Sequence, residues 1–269
     1  MMASAKDIFI KPINARTANE IIKKIHYSGK VVQNSQLHFG VFINDKLEGA
    51  LQFGHSLDKR KMLNTVKGTD WSGFIELNRM AFSESLPKLS ESRAIGVTLR
   101  LIKKQYPQIK WVVSFSDGAQ CGDGTIYRAS GFDLIGIKEN KTLYEFPTGD
   151  RIAGMTIEAN WELPIIKKQC DFVGIPHKPR TRTQWKKYGA KPISGFQLKY
   201  IYFIDKSYKE KLTVPILPFS EIDKRGAGMY KGTASTVQSR RVTKANSGDQ
   251  LECGGAIPTN TLQSPEVSK

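Results

Sequence analysis

Cysteine is scarce. The 269 residues hold three, Cys121, Cys170 and Cys253, odd in number and with no Cys-x-x-Cys pair. This excludes a disulfide framework and a thiolate zinc module, and a reducing cytoplasm is expected. Long hydrophobic runs are also missing. The N-terminal MMASAKDIFIKPI has no apolar stretch of signal-peptide length, and no segment approaches a membrane span, so a soluble chain with no membrane partner is expected. The four histidines form no HxH or HxxE spacing that would mark a metal site. Acidic side chains are outnumbered, 25 Asp and Glu against 41 Lys and Arg, for a formal charge of +16. The excess is larger toward the C-terminus: 20 basic against 10 acidic residues in 151–269, and 21 against 15 in 1–150. Lysine and arginine gain affinity by displacing counterions from phosphates, so the balance points to a polyanionic partner.

Hydrophobic content of 39% is enough for a packed core. A short strand is expected over Asp7–Pro12, then a helix Ala15–Lys24 capped by Asn14 or Thr17. His38–Ile43 and Leu47–Gly54 read as a hairpin around Asn44-Asp45, followed by a polar loop over Lys59–Asp70. A strand Ile75–Phe82 leads through a serine-rich turn to a helix Arg93–Gln105 stopped at Tyr106-Pro107. Ile109–Phe115 is almost continuously apolar, as a strand buried on both faces should be. A short helix Gly124–Ser130 and a closing hairpin, Leu134–Lys138 with Thr142–Phe146, complete a core over 1–150. A basic and aromatic extension over 151–222 is expected to add a strand pair, Phe196–Phe203 with Leu212–Leu217. The tail 223–269 is polar and without apolar periodicity, and is expected to be disordered.

The stretch from Phe74 to Phe132 carries the chemistry. Its order places Arg79, Ser92, Asp117 and Tyr127 at the ends of strands and helices, around a cleft between strand ends. The strand-helix-hairpin-strand-helix-strand-helix-hairpin order resembles the GNAT acyltransferase superfamily, an α/β fold with a mixed central sheet flanked by helices, and IYRASGF resembles its Y-x-x-x-GF signature. One departure stands out. Acyl-CoA carriers of that superfamily have R/Q-x-x-G-x-G/A where the central helix opens, with backbone amides cradling pyrophosphate. Here residues 83–93 contain no glycine, and Arg93-x-x-Gly96 falls inside the expected helix.

The combination HYSG, HFGVF, GALQFG, ELNRMAF, SESRA, WVVSFSDG, CGDGTIYRASGF and GFQLKYIYF resembles the phage Mom family over about residues 20–220. That family hypermodifies adenine in phage DNA to N6-carbamoylmethyladenine and shields the DNA from host restriction enzymes. The resemblance implies action in the bacterial host cytoplasm, with His26, Tyr27, Arg79, Ser92, Asp117 and Tyr127 as functional positions. Plainer readings stand beside these: His26 can be a favourable charge at a helix C-terminus. Asp117 before a glycine can cap a turn, Tyr127 can be a core tyrosine, Arg79 can belong to a structural ion pair, and Ser92 can cap its helix. Ser90 and Arg93 would offer donor phosphate contacts at the helix start. An iron site of the kind suggested for this family would have to draw on His26, His38 and Asp117. Lys178, Arg180, Arg182, Trp185 and Lys186 interleave charge with aromatics, as phosphate contact plus base stacking requires, or form a solvated basic loop.

The product implied by the resemblance and the missing glycines together suggest a glycyl ester such as glycyl-tRNA as donor, with acetyl-CoA as the alternative carrier. The expected partners are DNA, with its adenine flipped out or single-stranded, and tRNA. Two other classes stay open: a CoA-dependent small-molecule or protein N-acyltransferase, and a non-catalytic DNA-binding protein on the same scaffold.

Overall fold

The computed structural model describes residues 4–26, 29–118, 124–159, 161–227, 229–230 and 233–234. Asn14 caps α1 (Ala15–Ile25) by accepting from the Thr17 amide. Ahead of it, β1 (Phe9–Pro12) pairs with β2 (Ser35–Ile43), which turns through Asn44 and Asp45, both at positive φ, into β3 (Lys46–Gly54). This is the turn geometry that matches strand twist, and it suits Asn and Asp. The segment expected as a polar loop opens with a short helix, α2 (Lys59–Leu63), capped by Asp58.

Next, β4 (Phe74–Phe82) leads to α3 (Ser90–Gln105), which starts a turn earlier than apolar spacing predicts because Leu89 takes the left-handed conformation before it. After β5 (Trp111–Asp117) and α4 (Thr125–Ala129), the expected closing hairpin is instead one long strand, β6 (Asp133–Glu145). Its pairing is irregular between Asn140 and Leu143, where the sequence suggested a turn. β7 (Arg151–Ala153), α5 (Gly154–Ala159), α6 (Pro164–Phe172) and α7 (Arg182–Lys187) precede β8 (Lys191–Phe203). Residues 212–217 form no strand: Leu212 makes a single bridge to Val66, in the segment ahead of β4, and Leu217 one to Leu134 of β6. α8 (Ser220–Lys224) runs into the start of the segment expected to be disordered, where Met229–Tyr230 also pairs with Thr233–Ala234; most of the remaining tail lies outside the described residues.

The eight strands form one mixed sheet in the order β1-β2-β3-β4-β5-β8-β6-β7. Thus β8, from the expected extension, lies between β5 and β6. One face packs on α3 and α4, with Ile75, Leu77, Ile95, Leu99, Ile102 and Tyr127 in a single core. On the other face Ala18 and Ile22 of α1 pack on Ala50 and Ala81, and Trp111 stacks on Phe74 at 4.3 Å. A satellite core joins Tyr144, Phe146 and Ile152 to α5–α7 through Ile157, Ile166, Cys170 and Trp185. Among the described residues, no helix is long and apolar enough to cross a membrane.

Candidate active site

The sheet opens in the middle. β4 and β5 run parallel and pair only from Phe74/Trp111 to Leu77/Ser114. Beyond that point β4 stays with β3 as far as Phe82/Gly49, while β5 stays with β8 as far as Asp117/Gln197. The result is a fork at the C-terminal ends of two parallel strands, where open α/β sheets place their ligands. α3 begins on the same side, since it follows β4.

A bulge sets what faces the fork. Phe53 pairs with Leu77 and Gln52 with Arg79, so Asn78 is the extra residue on β4. Without it Arg79 would share the α3 face with Ile75 and Leu77. With it, Glu76 and Arg79 both point to the α1 face. On the far bank, Ser114 lies on the α3 face with Tyr127, so strict alternation puts Phe115 and Asp117 on the α1 face. Six polar side chains therefore run across the α1 face in one band: His38, Gln52 and Arg79 on β2–β4, then Asp117, Gln197 and Lys138 on β5, β8 and β6.

The near bank is held by hydrogen bonds. Arg79 donates from Nε to the Lys30 carbonyl (3.3 Å) and from Nη1 to the Asn78 carbonyl (2.9 Å). Buried Gln52 donates to Asn19 of α1 (2.8 Å) and meets His38 Nδ1 at 3.2 Å. His26, just past α1, has its pKa pushed down to about 3, first by burial and then by the Arg79 charge, so its imidazole is neutral near pH 7. Burial, then Arg79, also lowers the Lys30 pKa. Glu76 accepts from Ser56 Oγ at 2.5 Å; burial raises its pKa despite that bond, one from Asn78 and the nearby Arg79. Sequence reasoning missed Glu76. The signal was present in FIELNRMAF, where the apolar positions switch from 75 and 77 to 80 and 82, as a bulge requires.

At the apex, Ser114 Oγ donates to the Leu77 carbonyl (3.3 Å) and lies 2.9 Å from the Tyr127 hydroxyl. Tyr127 is buried, stacked on Tyr200 at 4.8 Å and edge-on to Phe132 at 5.5 Å. It thus meets the fork from the α3 face, opposite Asp117 and Arg79. Buried Ser116 Oγ, two residues past the apex, makes no hydrogen bond among the described residues.

At the start of α3, Ser92 Oγ donates to the Leu89 carbonyl (3.2 Å). Ser90 is fully buried, away from any donor phosphate at the surface, whereas Arg93 is exposed and spends one N–H on the Lys6 carbonyl (3.3 Å), leaving the rest of its guanidinium open to the phosphate contact expected of it. The preceding loop turns its amides inward: Ser85 to Ser83 Oγ, Leu86 to the Ser83 carbonyl and Ser90 to the Pro87 carbonyl. Pro87 has no amide to give. Tyr27 lies outside the described residues. Among those described, no three His, Cys, Asp or Glu side chains stand close enough to hold a metal, so His26, His38 and Asp117 do not converge as an iron ligand set.

The basic segment divides in two. Arg180 and Trp185 are 7% and 1% exposed and belong to the satellite core rather than to a stacking surface. Arg180 donates to the Pro176 (2.8 Å) and Lys178 (3.1 Å) carbonyls and lies over the Trp185 ring at 5.5 Å. Arg182 is paired with Glu158 at 2.8 Å. Lys178 and Lys186 are exposed and remain available for phosphates. Alternating basic and aromatic residues read alike in either setting, because only tertiary packing separates a buried cation–π stack from a solvated one.

Comparison with known proteins places the chain. The methylcarbamoylase mom of Escherichia phage Mu is 43% identical over 142 residues, covering 52% of this chain and 58% of that protein. Among solved structures, the ribosomal-protein-S18-alanine N-acetyltransferase of Escherichia coli matches at 10% identity and a TM-score of 0.40, over 73% of this chain and 94% of that one. A Bacillus subtilis acetyltransferase in complex with CoA matches at 9% identity and a TM-score of 0.38, over 73% and 97%. The family model described as the Mom protein family matches residues 7–221. With four-fifths of its length covered, fork and flanking helices included, the chain belongs to the Mom protein family.

Proposed function

We propose that this protein is a DNA-modifying transferase that converts adenine to N6-carbamoylmethyladenine and so protects phage DNA from restriction, acting by acyl transfer at the β4–β5 fork. The observation that carries this is the placement of Arg79 and Asp117 on opposite banks of the fork and on one sheet face, in a chain matched by the Mom family over residues 7–221. A carboxylate and a guanidinium facing each other across a cleft are suited to a proton acceptor and an oxyanion holder.

Adenine must leave the duplex stack to enter the cleft. In the first step its exocyclic nitrogen forms a bond to the acyl carbon of a glycyl ester and the ester C–O bond breaks. Asp117 takes the amine proton, Arg79 holds the developing oxyanion, and the leaving oxygen receives a proton from Tyr127, backed by Ser114. Ser92, in the first turn of α3, stands on the donor side. In the second step the new free amine attacks ring carbon six, giving a five-membered spiro ring. The original C6–N6 bond then breaks, and the freed nitrogen takes a proton to become the carboxamide. The inward-turned amides before α3 support an aminoacyl ester such as glycyl-tRNA over an acyl-CoA, whose pyrophosphate needs amides facing outward.

Mass spectrometry of nucleosides from cells expressing the chain tests this reading. Carbamoylmethyl-deoxyadenosine is expected with the wild type and a loss of about a hundredfold or more with Asp117→Asn. Unmodified adenine with intact DNA binding would make the chain a binding protein. Labelled glycine and purified tRNA test the donor separately: product that carries no label rules out a glycyl ester.

A further inference from the structure

The far bank of the fork holds two side chains, Phe115 and Gln197, that the acyl-transfer chemistry does not use. Phe115 is half-buried and lies between charged neighbours on the α1 face. Lys199 pairs with it on β8, and Asp117 follows two residues later on its own strand. Beside Asp117 across the β5–β8 ladder stands Gln197, which is exposed. An exposed carboxamide, a carboxylate and an aromatic ring on three neighbouring positions of one sheet face form a coherent set. Lys199 fixes its lower edge by donating to Thr65 Oγ1 at 3.1 Å.

We infer that Phe115, Asp117 and Gln197 form the nucleobase subsite, with Gln197 as the residue that selects adenine; this rests on the acceptor being the adenine of the proposed function. Phe115 offers a ring face to the flipped base. The adenine N6 amine has two protons: Asp117 accepts one and Gln197 Oε1 the other, while Gln197 Nε2 donates to an adjacent ring nitrogen. Glutamine matches adenine in this two-bond geometry because it donates and accepts side by side. Hypoxanthine carries oxygen at carbon six, which would face the Asp117 carboxylate with no proton between them. Arg79 across the fork remains with the donor, so the two reactants occupy separate banks.

The subsite is tested by fluorescence anisotropy with the full chain and oligothymidine strands carrying one central deoxyadenosine or one central deoxyinosine. The wild type should bind the adenosine strand roughly tenfold more tightly. Gln197→Leu, at an exposed position, should abolish that preference by bringing the adenosine strand to the affinity of the inosine strand. Phe115→Leu keeps an apolar side chain for packing, and should weaken both purine strands toward the plain strand, while Phe115→Trp should keep them tight. Equal wild-type affinity for the two purine strands, or an adenine preference that survives in Gln197→Leu, overturns the inference. The companion reading fails differently. Selective adenine binding without modified nucleoside in cells would keep the subsite and remove the chemistry; modified nucleoside with discrimination untouched by Gln197→Leu would do the reverse.

Discussion

His26 shows how a single side chain takes its properties from what folds around it. Burial is the larger cause of its depressed pKa and the Arg79 charge the second, and both oppose protonation. The unfolded chain binds that proton near the ordinary value of 6.5, so the folded state is intact above about pH 6.5. It loses stability as pH falls toward about 3. The contribution of this one group is at most about 1.4 kcal/mol per pH unit. Urea unfolding at pH 7.5 and 5.0 should show a marked loss for the wild type and a smaller one for His26→Gln. Some acid sensitivity should persist, because burial lowers His38 and His55 as well. Arg180 gives the opposite lesson. Its guanidinium satisfies two carbonyls and covers Trp185, so Arg180→Ala should cost about 2–4 kcal/mol in thermal or urea unfolding rather than weaken DNA binding selectively. A binding defect in a fully stable Arg180→Ala would contradict that assignment.

Secondary elements were legible where the pattern is local. The Asn14 cap, the Asn44-Asp45 turn and the apolar rhythm of α3 all read directly from the chain. Pairing at a distance did not: β6 continues through an irregularity after Asn140 where the sequence suggested a turn, because β8, some fifty residues on, pairs with it on both sides of that point. The site was half legible for the same reason. Asp117 closes β5 as sequence order suggests, whereas Arg79 lies inside β4 and Tyr127 in the middle of α4. Glu76, Phe115 and Gln197 depend on a bulge and on cross-strand register. Two glycines test the element-level account. A Cβ on Gly118, closing β5 beside Asp117, would stand 2.6 Å from the Ala227 carbonyl oxygen and 2.9 Å from that of Phe196. Both are backbone atoms, so Gly118→Ala should cost about 1–3 kcal/mol and lower adenine modification by moving Asp117. A Cβ on Gly96 would meet only the Arg100 guanidinium at 3.8 Å. Gly96→Ala should therefore raise stability by about 0.5–1 kcal/mol and leave modification unchanged. Lost modification in a stable Gly96→Ala would restore Arg93-x-x-Gly96 as a donor motif.

At the scale of the whole molecule, a charge of +16 suits the proposed nucleic-acid partner, but only part of it is free to act. Several cations are already committed: Arg182 to Glu158, Arg151 to Glu145, Lys168 to Asp150 and Lys209 to Asp133. Exposed lysines without such pairing release counterions in full when they reach phosphates, whereas a paired arginine must first give up its carboxylate. The salt dependence of binding separates the two. Each phosphate contact on single-stranded DNA contributes about −0.7 to the slope of log affinity against log salt. Replacing Lys178 and Lys186 together by Gln should flatten that slope by about 1.4 and weaken binding equally for all sequences. Replacing Arg182 by Gln should change it far less. The adenine preference proposed for the sheet face should be the same in both variants, because phosphate contacts position a strand without reading its bases. A slope that responds to Arg182 and ignores the two lysines would move the nucleic-acid track off this surface.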